Sequence, residues 1–296
     1  MERELVTLTA VDGEVHDALL HVDTRAARVH ERRTGRRTAI LHVHGIMGNF
    51  LVGTLRFVPA PLARAGYPTL VLETRMGNVG QLFGRAIFED ALADLDAAVD
   101  WLREHGHDHI VLSGYSSGAA LAIRFAAARR PEHLRGVVCF GAPWGLPESM
   151  RARADRFESE PSYEDLAATV RESIGEDPAA AHPDRLFVIE RSRGPTRRPA
   201  DSEVYTWRTW WHSRGPEALA AMTHRQIGDV GAPILLVQGA DDPVVDPGEA
   251  EALAAVAREA GNDDVEVALI PGTGHTFQGA EIATTAAALR WLADRA

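Results

Sequence analysis

The sequence predicts an α/β protein built on a mostly parallel, eight-stranded sheet with helices on both faces and a helical cap insertion. Three observations predict it. Short apolar runs bounded by turn residues alternate with helical stretches along most of the chain. The later runs are too uniformly apolar to leave one face wet, which is the mark of parallel strands covered on both sides. A single long stretch, about residues 145–230, breaks the alternation with several Pro and Gly and mixed charge.

The elements follow in order. Residues 3–9 and 15–22 alternate polar and apolar side chains around Asp12-Gly13 and read as an antiparallel pair. Thr38–His44 is a buried strand, Leu55–Ala65 a helix and Thr69–Glu73 the next strand. Ala86–His105 carries Leu92, Leu95, Val99 and Leu102 at the three-and-four spacing of one helical face. Strand His109–Leu112, helix Ser117–Arg130 and strand Gly136–Phe140 come next. After the interruption the pattern resumes with strand Pro233–Gln238, helix Gly248–Ala260, strand Val265–Ile270 and helix Glu281–Ala296. Residues 1–144 and 231–296 thus form one core, and 145–230 an insertion with two helical patches, Tyr163–Ser173 and Pro216–His224. The insertion reads as lacking a continuous core of its own, so the whole chain is taken as one domain.

Composition narrows the function. The 296 residues carry a net charge of −11, and all basic residues are Arg, with no Lys. Nothing here could neutralise a row of phosphates, which argues against nucleic acid as a partner. The one basic cluster, Arg191–Arg198, reads as a solvated loop. Cys139 is the only cysteine and sits in an apolar run, so it reads as a small buried hydrophobe outside any disulfide. No basic-then-apolar leader opens the chain and no run of 18 apolar residues occurs, so a cytoplasmic protein without a membrane span is expected. Abundant Ala and Arg with no Lys suggest a GC-rich bacterial source. A homo-oligomer stays open.

The chemistry gathers in three places. Gly114-Tyr115-Ser116-Ser117-Gly118 has the form G-x-S-x-G between a strand and a helix. There the chain must turn sharply, lifting the Ser116 hydroxyl to the carboxyl edge of the sheet; a merely structural turn is the competing reading. A serine hydroxyl needs a base, and His275 stands in the glycine-rich loop Pro271–Phe277 just after a strand. A carboxylate should end the preceding strand, where Asp241 and Asp242 both qualify. Asp242 is favoured, three residues after Gly239 and directly before Pro243; Asp246 is a distant third. His42-x-His44 has no Cys or carboxylate cluster to complete a metal site, and no phosphate-binding G-x-x-x-x-G-K-[ST] loop exists. No metal and no cofactor are expected.

The order Ser116…Asp242…His275, the elbow, His44-Gly45 after the third strand and the run Gly239–Val245 (GADDPVV) together resemble the α/β-hydrolase superfamily. The resemblance covers about residues 35–142 and 232–296. It implies the α/β-hydrolase fold and a serine hydrolase cleaving a small-molecule acyl substrate, most readily a carboxylic ester. It further implies an oxyanion hole from the backbone N–H groups of Ile46 and Ser117, with His44 structural. Thioester, lactone, amide or C–C cleavage, a non-hydrolytic biosynthetic reaction and an inactive ligand-binding protein are the alternatives.

Departures from the family pattern bear on substrate. Many relatives carry an acidic residue and then Arg-Gly-His-Gly after the fourth strand, where this chain has Glu73-Thr74-Arg75-Met76-Gly77. The His-Gly-Gly-Gly of lipases is absent, and a serine at 116 argues against relatives that use an aspartate nucleophile. Trp144, Trp207, Trp210 and Arg208 are candidate substrate contacts. For the tryptophans of the insertion, lining a pocket and anchoring the cap weigh about equally.

Overall fold

The computed structural model describes residues 1–45, 48–77, 86–156, 159–174, 186–190 and 202–295. Among the described residues there are ten strands: β1 (Glu2–Thr9), β2 (Val15–Val22), β3 (Thr38–Val43), β4 (Thr69–Leu72), β5 (His109–Tyr115), β6 (Leu134–Phe140), β7 (Leu186–Glu190), β8 (Ser202–Thr206), β9 (Ile234–Gly239) and β10 (Val265–Ile270). Eight of them form one sheet in the order β1-β2-β4-β3-β5-β6-β9-β10. β1 and β2 run antiparallel to their neighbours and the other six run parallel.

Every residue of β3, β4 and β9 is buried, as the uniformly apolar runs require. Because successive side chains point to opposite faces, each strand feeds two cores. Leu41, Val43, Leu112, Val137, Cys139 and Leu236 pack on one face with the helices Leu92–Glu104, Ser117–Arg129 and Gly248–Glu259. Ile40, Val71, Val111, Val138, Phe140 and Leu235 pack on the other with Pro59–Arg64 and Glu281–Arg295. Cys139 is fully buried, and burial pushes its thiol pKa up. Among the described residues no helix is long and apolar enough to cross a membrane.

Some boundaries differ from the sequence expectation. The helix expected over Leu55–Ala65 is a 3-10 turn, Gly53–Arg56, followed by Pro59–Arg64. Proline lacks an N–H and fits only the first turn of a helix, so Pro59 and Pro61 force a fresh start. The helix expected from Ala86 begins at Leu92 after a 3-10 turn, Glu89–Ala91. The patch at Pro216–His224 is a 3-10 turn, Leu219–Ala221, and a short helix, Thr223–Gln226, separated by Met222 in an extended conformation.

The largest correction concerns the insertion. It is not helical alone: β7 and β8 pair as an antiparallel ribbon beside the helices Leu146–Arg156, Tyr163–Ile174 and Trp207–Arg214. It also has an apolar cluster of its own, built from Met150, Tyr163, Val170, Tyr205, Trp210 and Trp211 among others. Bulky aromatic side chains supply enough apolar area in few residues to close a small core. Thr209 ties this unit to the main body, its hydroxyl donating to the Ala86 carbonyl at 2.7 Å.

Candidate active site

β5 stops at Tyr115 and the next helix starts at Ser117, leaving Ser116 as the hinge with φ 56° and ψ −124°. A positive φ is costly for a residue with a Cβ. The turn is held by the Ser116 N–H donating to the Phe140 carbonyl at 2.8 Å. Its flanking glycines are sterically required. A Cβ on Gly114 would lie 2.1 Å from the Gly118 carbonyl oxygen, and one on Gly118 would lie 2.2 Å from that of His44. Only without side chains can strand, turn and helix approach this closely.

The turn delivers the Ser116 Oγ to 2.9 Å from His275 Nε2, and His275 Nδ1 lies 2.8 Å from Asp242 Oδ2. Ser116 and His275 are partly exposed and Asp242 is buried, so the serine end faces the outside and the carboxylate end the protein. Asp241 is exposed, which resolves the choice of partner for His275 by geometry. Asp242 Oδ1 accepts the N–H groups of Val244 and Val245 at 2.8 and 3.0 Å, and Oδ2 accepts Gln238 Nε2 at 2.9 Å. Burial alone would raise the pKa of this carboxyl. The bond to His275 and the two backbone donors outweigh it and hold the pKa below the ordinary value.

The loops carrying these two residues are tied together. The Asp241 N–H donates to the Thr273 carbonyl at 3.0 Å, and Phe277 is fully buried, edge-on to Phe140. Two further neighbours of His275 carried no sequence signal of their own. Tyr115, the variable residue before the serine, places its ring 5.2 Å from the imidazole, and burial followed by the charge of Asp242 raises its pKa. Gly141, just beyond β6, leaves the space the imidazole occupies.

Of the two residues expected to supply oxyanion amides, Ser117 stands at the first position of the helix, where N–H groups point away from the helical ladder. Ile46 lies outside the described residues. His44 is structural in position: the Thr74 N–H donates to its Nε2 at 3.0 Å, so the proton sits on Nδ1, which donates to the Gly45 carbonyl at 2.6 Å. Burial pushes its pKa down to about 4, so the ring stays neutral.

The altered loop after β4 is also anchored. Arg75 Nη2 and Nε reach Asp94 Oδ1 at 2.6 and 2.9 Å, and Nη1 reaches Asp12 at 2.7 Å. His16 Nε2 lies 2.8 Å from the same Asp94 oxygen. Glu73 is buried beside this loop, one oxygen accepting the Phe50 N–H at 3.4 Å and the other without a partner among the described residues. Burial raises its pKa to about 7.

The remaining candidates lie elsewhere. The Trp144 ring stacks on His224 at 4.6 Å and stays partly exposed. Trp207 stacks on Phe187 at 4.0 Å and Trp210 packs against Tyr163, both inside the cluster of the insertion. Arg208 is partly exposed on the same helix.

A strained serine at a strand-to-helix turn, aligned with a histidine and a buried aspartate over a parallel sheet, defines an α/β-hydrolase. The chain belongs to the serine aminopeptidase S33 family of that superfamily, whose model matches residues 36–281. Among curated proteins it is similar to a 2-succinyl-6-hydroxy-2,4-cyclohexadiene-1-carboxylate synthase of Serratia proteamaculans, 25% identical over 274 residues that cover 90% of this chain and 96% of the relative. Among solved structures it resembles an esterase of Pyrococcus furiosus (TM-score 0.67, 16% identity, 100% of this chain and 92% of the other). It also resembles the esterase Est1E of Butyrivibrio proteoclasticus with ferulic acid bound (TM-score 0.68, 16% identity, 98% and 99%). At these identities the solved structures speak to the fold.

Proposed function

We propose that this protein is a serine hydrolase that cleaves a small carboxylic ester through an acyl-enzyme. The observation that carries the reading is the unbroken line from Asp242 through His275 to Ser116, with steps of 2.8 and 2.9 Å. His275 Nε2 takes the hydroxyl proton as Ser116 Oγ bonds to the acyl carbon, and the carbonyl oxygen becomes an oxyanion. The amides of Ser117 and Ile46 receive that charge; losing such a donor costs about 3–4 kcal/mol of barrier. The imidazolium then gives its proton to the departing alkoxide, leaving the alcohol and a Ser116 ester. Water, deprotonated by His275, attacks this ester, and the acid and the free serine are released. Asp242 keeps Nδ1 protonated and Nε2 available throughout.

In this reading residues 145–230 form a cap beside the site. Trp144 and Arg208, both partly exposed, remain its substrate contacts, while Trp207 and Trp210 serve the packing of the cap. The test is partitioning with hydroxylamine. Phenyl, p-nitrophenyl and ethyl esters of one acid should give the same ratio of hydroxamate to acid, because all pass through one acyl-enzyme. A ratio that follows the leaving group contradicts it.

A second reading, a biosynthetic enzyme that uses the same serine and histidine, is favoured by one observation: the synthase of Serratia proteamaculans aligns over nearly its full length. Under it, acyl esters across a broad panel go unhydrolysed and no common intermediate forms.

A further inference from the structure

The sheet edge opposite Ser116 holds a cleft of about 280 Å³ between the strand ends and the helix Thr24–Thr34. Thr38 opens β3, Pro68 precedes β4, His107 precedes β5 and Val22 closes the antiparallel β2, so all four lie at one end of the sheet. The length of β3, roughly 17 Å at about 3.3 Å per residue, separates Thr38 from the His44–Gly45 turn beside Ser116. The cleft is therefore distinct from the triad, and the inference drawn from it does not depend on the reaction proposed above.

Its floor is apolar, with Leu20, Val22, Ala27 and Pro68. Its rim is basic: Arg28, Arg36 and Arg37 face a single carboxylate, Glu31. Arg37 is engaged, its Nη2 donating to the His105 carbonyl at 3.1 Å. Arg28 and Arg36 form no side-chain ion pair or hydrogen bond among the described residues. In a chain of net charge −11, three arginines against one carboxylate on a single cleft are a local reversal of sign.

The wall behind this rim also carries polar groups. The hydroxyl of Thr38, both ring nitrogens of His30 and Nδ1 of His107 are buried without a hydrogen-bond partner among the described residues. Thr38 and His30 are only 1% and 4% exposed. These four atoms stand behind the wall of this one cleft. Burial, and after it the charges of Arg33 and Arg36, press the pKa of His30 down.

We propose that this cleft is a binding site for a small amphiphilic anion, its hydrocarbon body on the Leu20–Val22–Pro68 floor and its carboxylate or phosphate head between Arg28 and Arg36. The volume sits near the lower end of small-molecule sites, which fits a medium-length chain.

The test is calorimetric titration of the full chain with octanoate, octyl phosphate and octanol. At least one anion should bind, to wild type and Ser116→Ala alike, and at least ~10-fold more tightly than octanol. The double variant Arg28→Ala/Arg36→Ala should weaken that anion at least ~10-fold. Ala27→Trp, which fills the floor, should remove binding while the thermal melt stays cooperative. Whichever anion binds more tightly names the head group. Failure of both anions to bind, octanol binding as tightly as either, or affinity indifferent to the arginine pair and to Ala27→Trp overturns the proposal. Because no readout is catalytic, loss of the ester-hydrolase reading would leave this result standing, and the converse holds too.

Discussion

A side-chain carbon placed on Gly141 would stand 3.2 Å from both Nδ1 and Cε1 of His275. Gly141 also has φ +61°, and its N–H donates to the Val237 carbonyl at 2.8 Å, so the backbone cannot easily yield. The position sets the imidazole's place from behind. Gly141→Ala should cost about 1–2 kcal/mol of stability through the left-handed backbone. It should also lower kcat/KM by ~10- to 100-fold, because a displaced base loses near-attack geometry. Urea unfolding and ester hydrolysis on the same preparation check both parts; unchanged kinetics would mean that the ring accommodates the methyl group.

Asp242→Asn should leave the fold intact and lower kcat by about 10³–10⁴-fold, since an amide favours the wrong imidazole tautomer. The carboxylate also contributes to stability. Its folded pKa lies below the ordinary 3.8, so that contribution is present above 3.8 and is lost as pH falls further, through the folded value. Wild type should therefore exceed the asparagine variant in stability at neutral pH, with the gap closing below pH 3.8. A gap that is constant down to pH 2 contradicts this assignment.

Glu73 carries the opposite sign. Its pKa is raised from 4.5 to about 7 by burial, so the folded state keeps a proton that the unfolded chain has released. Stability falls as pH rises from 4.5 to about 7 and is flat beyond. Glu73→Gln should match wild type near pH 4 and exceed it at pH 8, by on the order of 3 kcal/mol. Melting curves across that range decide it, and equal stability of the two proteins at pH 8 would show that the carboxyl finds a better partner than the Phe50 N–H.

Arg75→Leu should cost about 3 kcal/mol, because Asp94 is fully buried and would lose its main countercharge. The double variant Arg75→Leu/Asp94→Leu should recover most of that loss. Thermal melts of the single and double variants suffice, and equal losses in the two would show that charge compensation is not what Arg75 provides.

Much of the core was legible because its signals are local. A buried parallel strand such as Thr38–Val43 has to be apolar throughout, and a serine at a strand-to-helix turn has to be flanked by glycines, as Gly114 and Gly118 show by their contacts. The choice between Asp241 and Asp242 was harder, since both follow the same strand; burial and the N–H groups of Val244 and Val245 separate them. The ribbon of β7 and β8 was missed because each strand has five residues and no short turn signal joins them. Nor does any periodicity announce that Trp207, Trp210 and Trp211 close a core with Tyr163 and Tyr205, a contact made across the chain. Gly141 and the pairing of Arg75 with Asp94 are likewise tertiary facts.

The most direct test of the central claim is intact-mass analysis after exposure to a fluorophosphonate, comparing wild type with Ser116→Ala. A single covalent adduct on wild type, absent from the variant, is the result expected of a serine activated through His275 and Asp242. A folded wild type that takes no adduct, or an adduct that persists in Ser116→Ala, contradicts the assignment of Ser116 as the nucleophile.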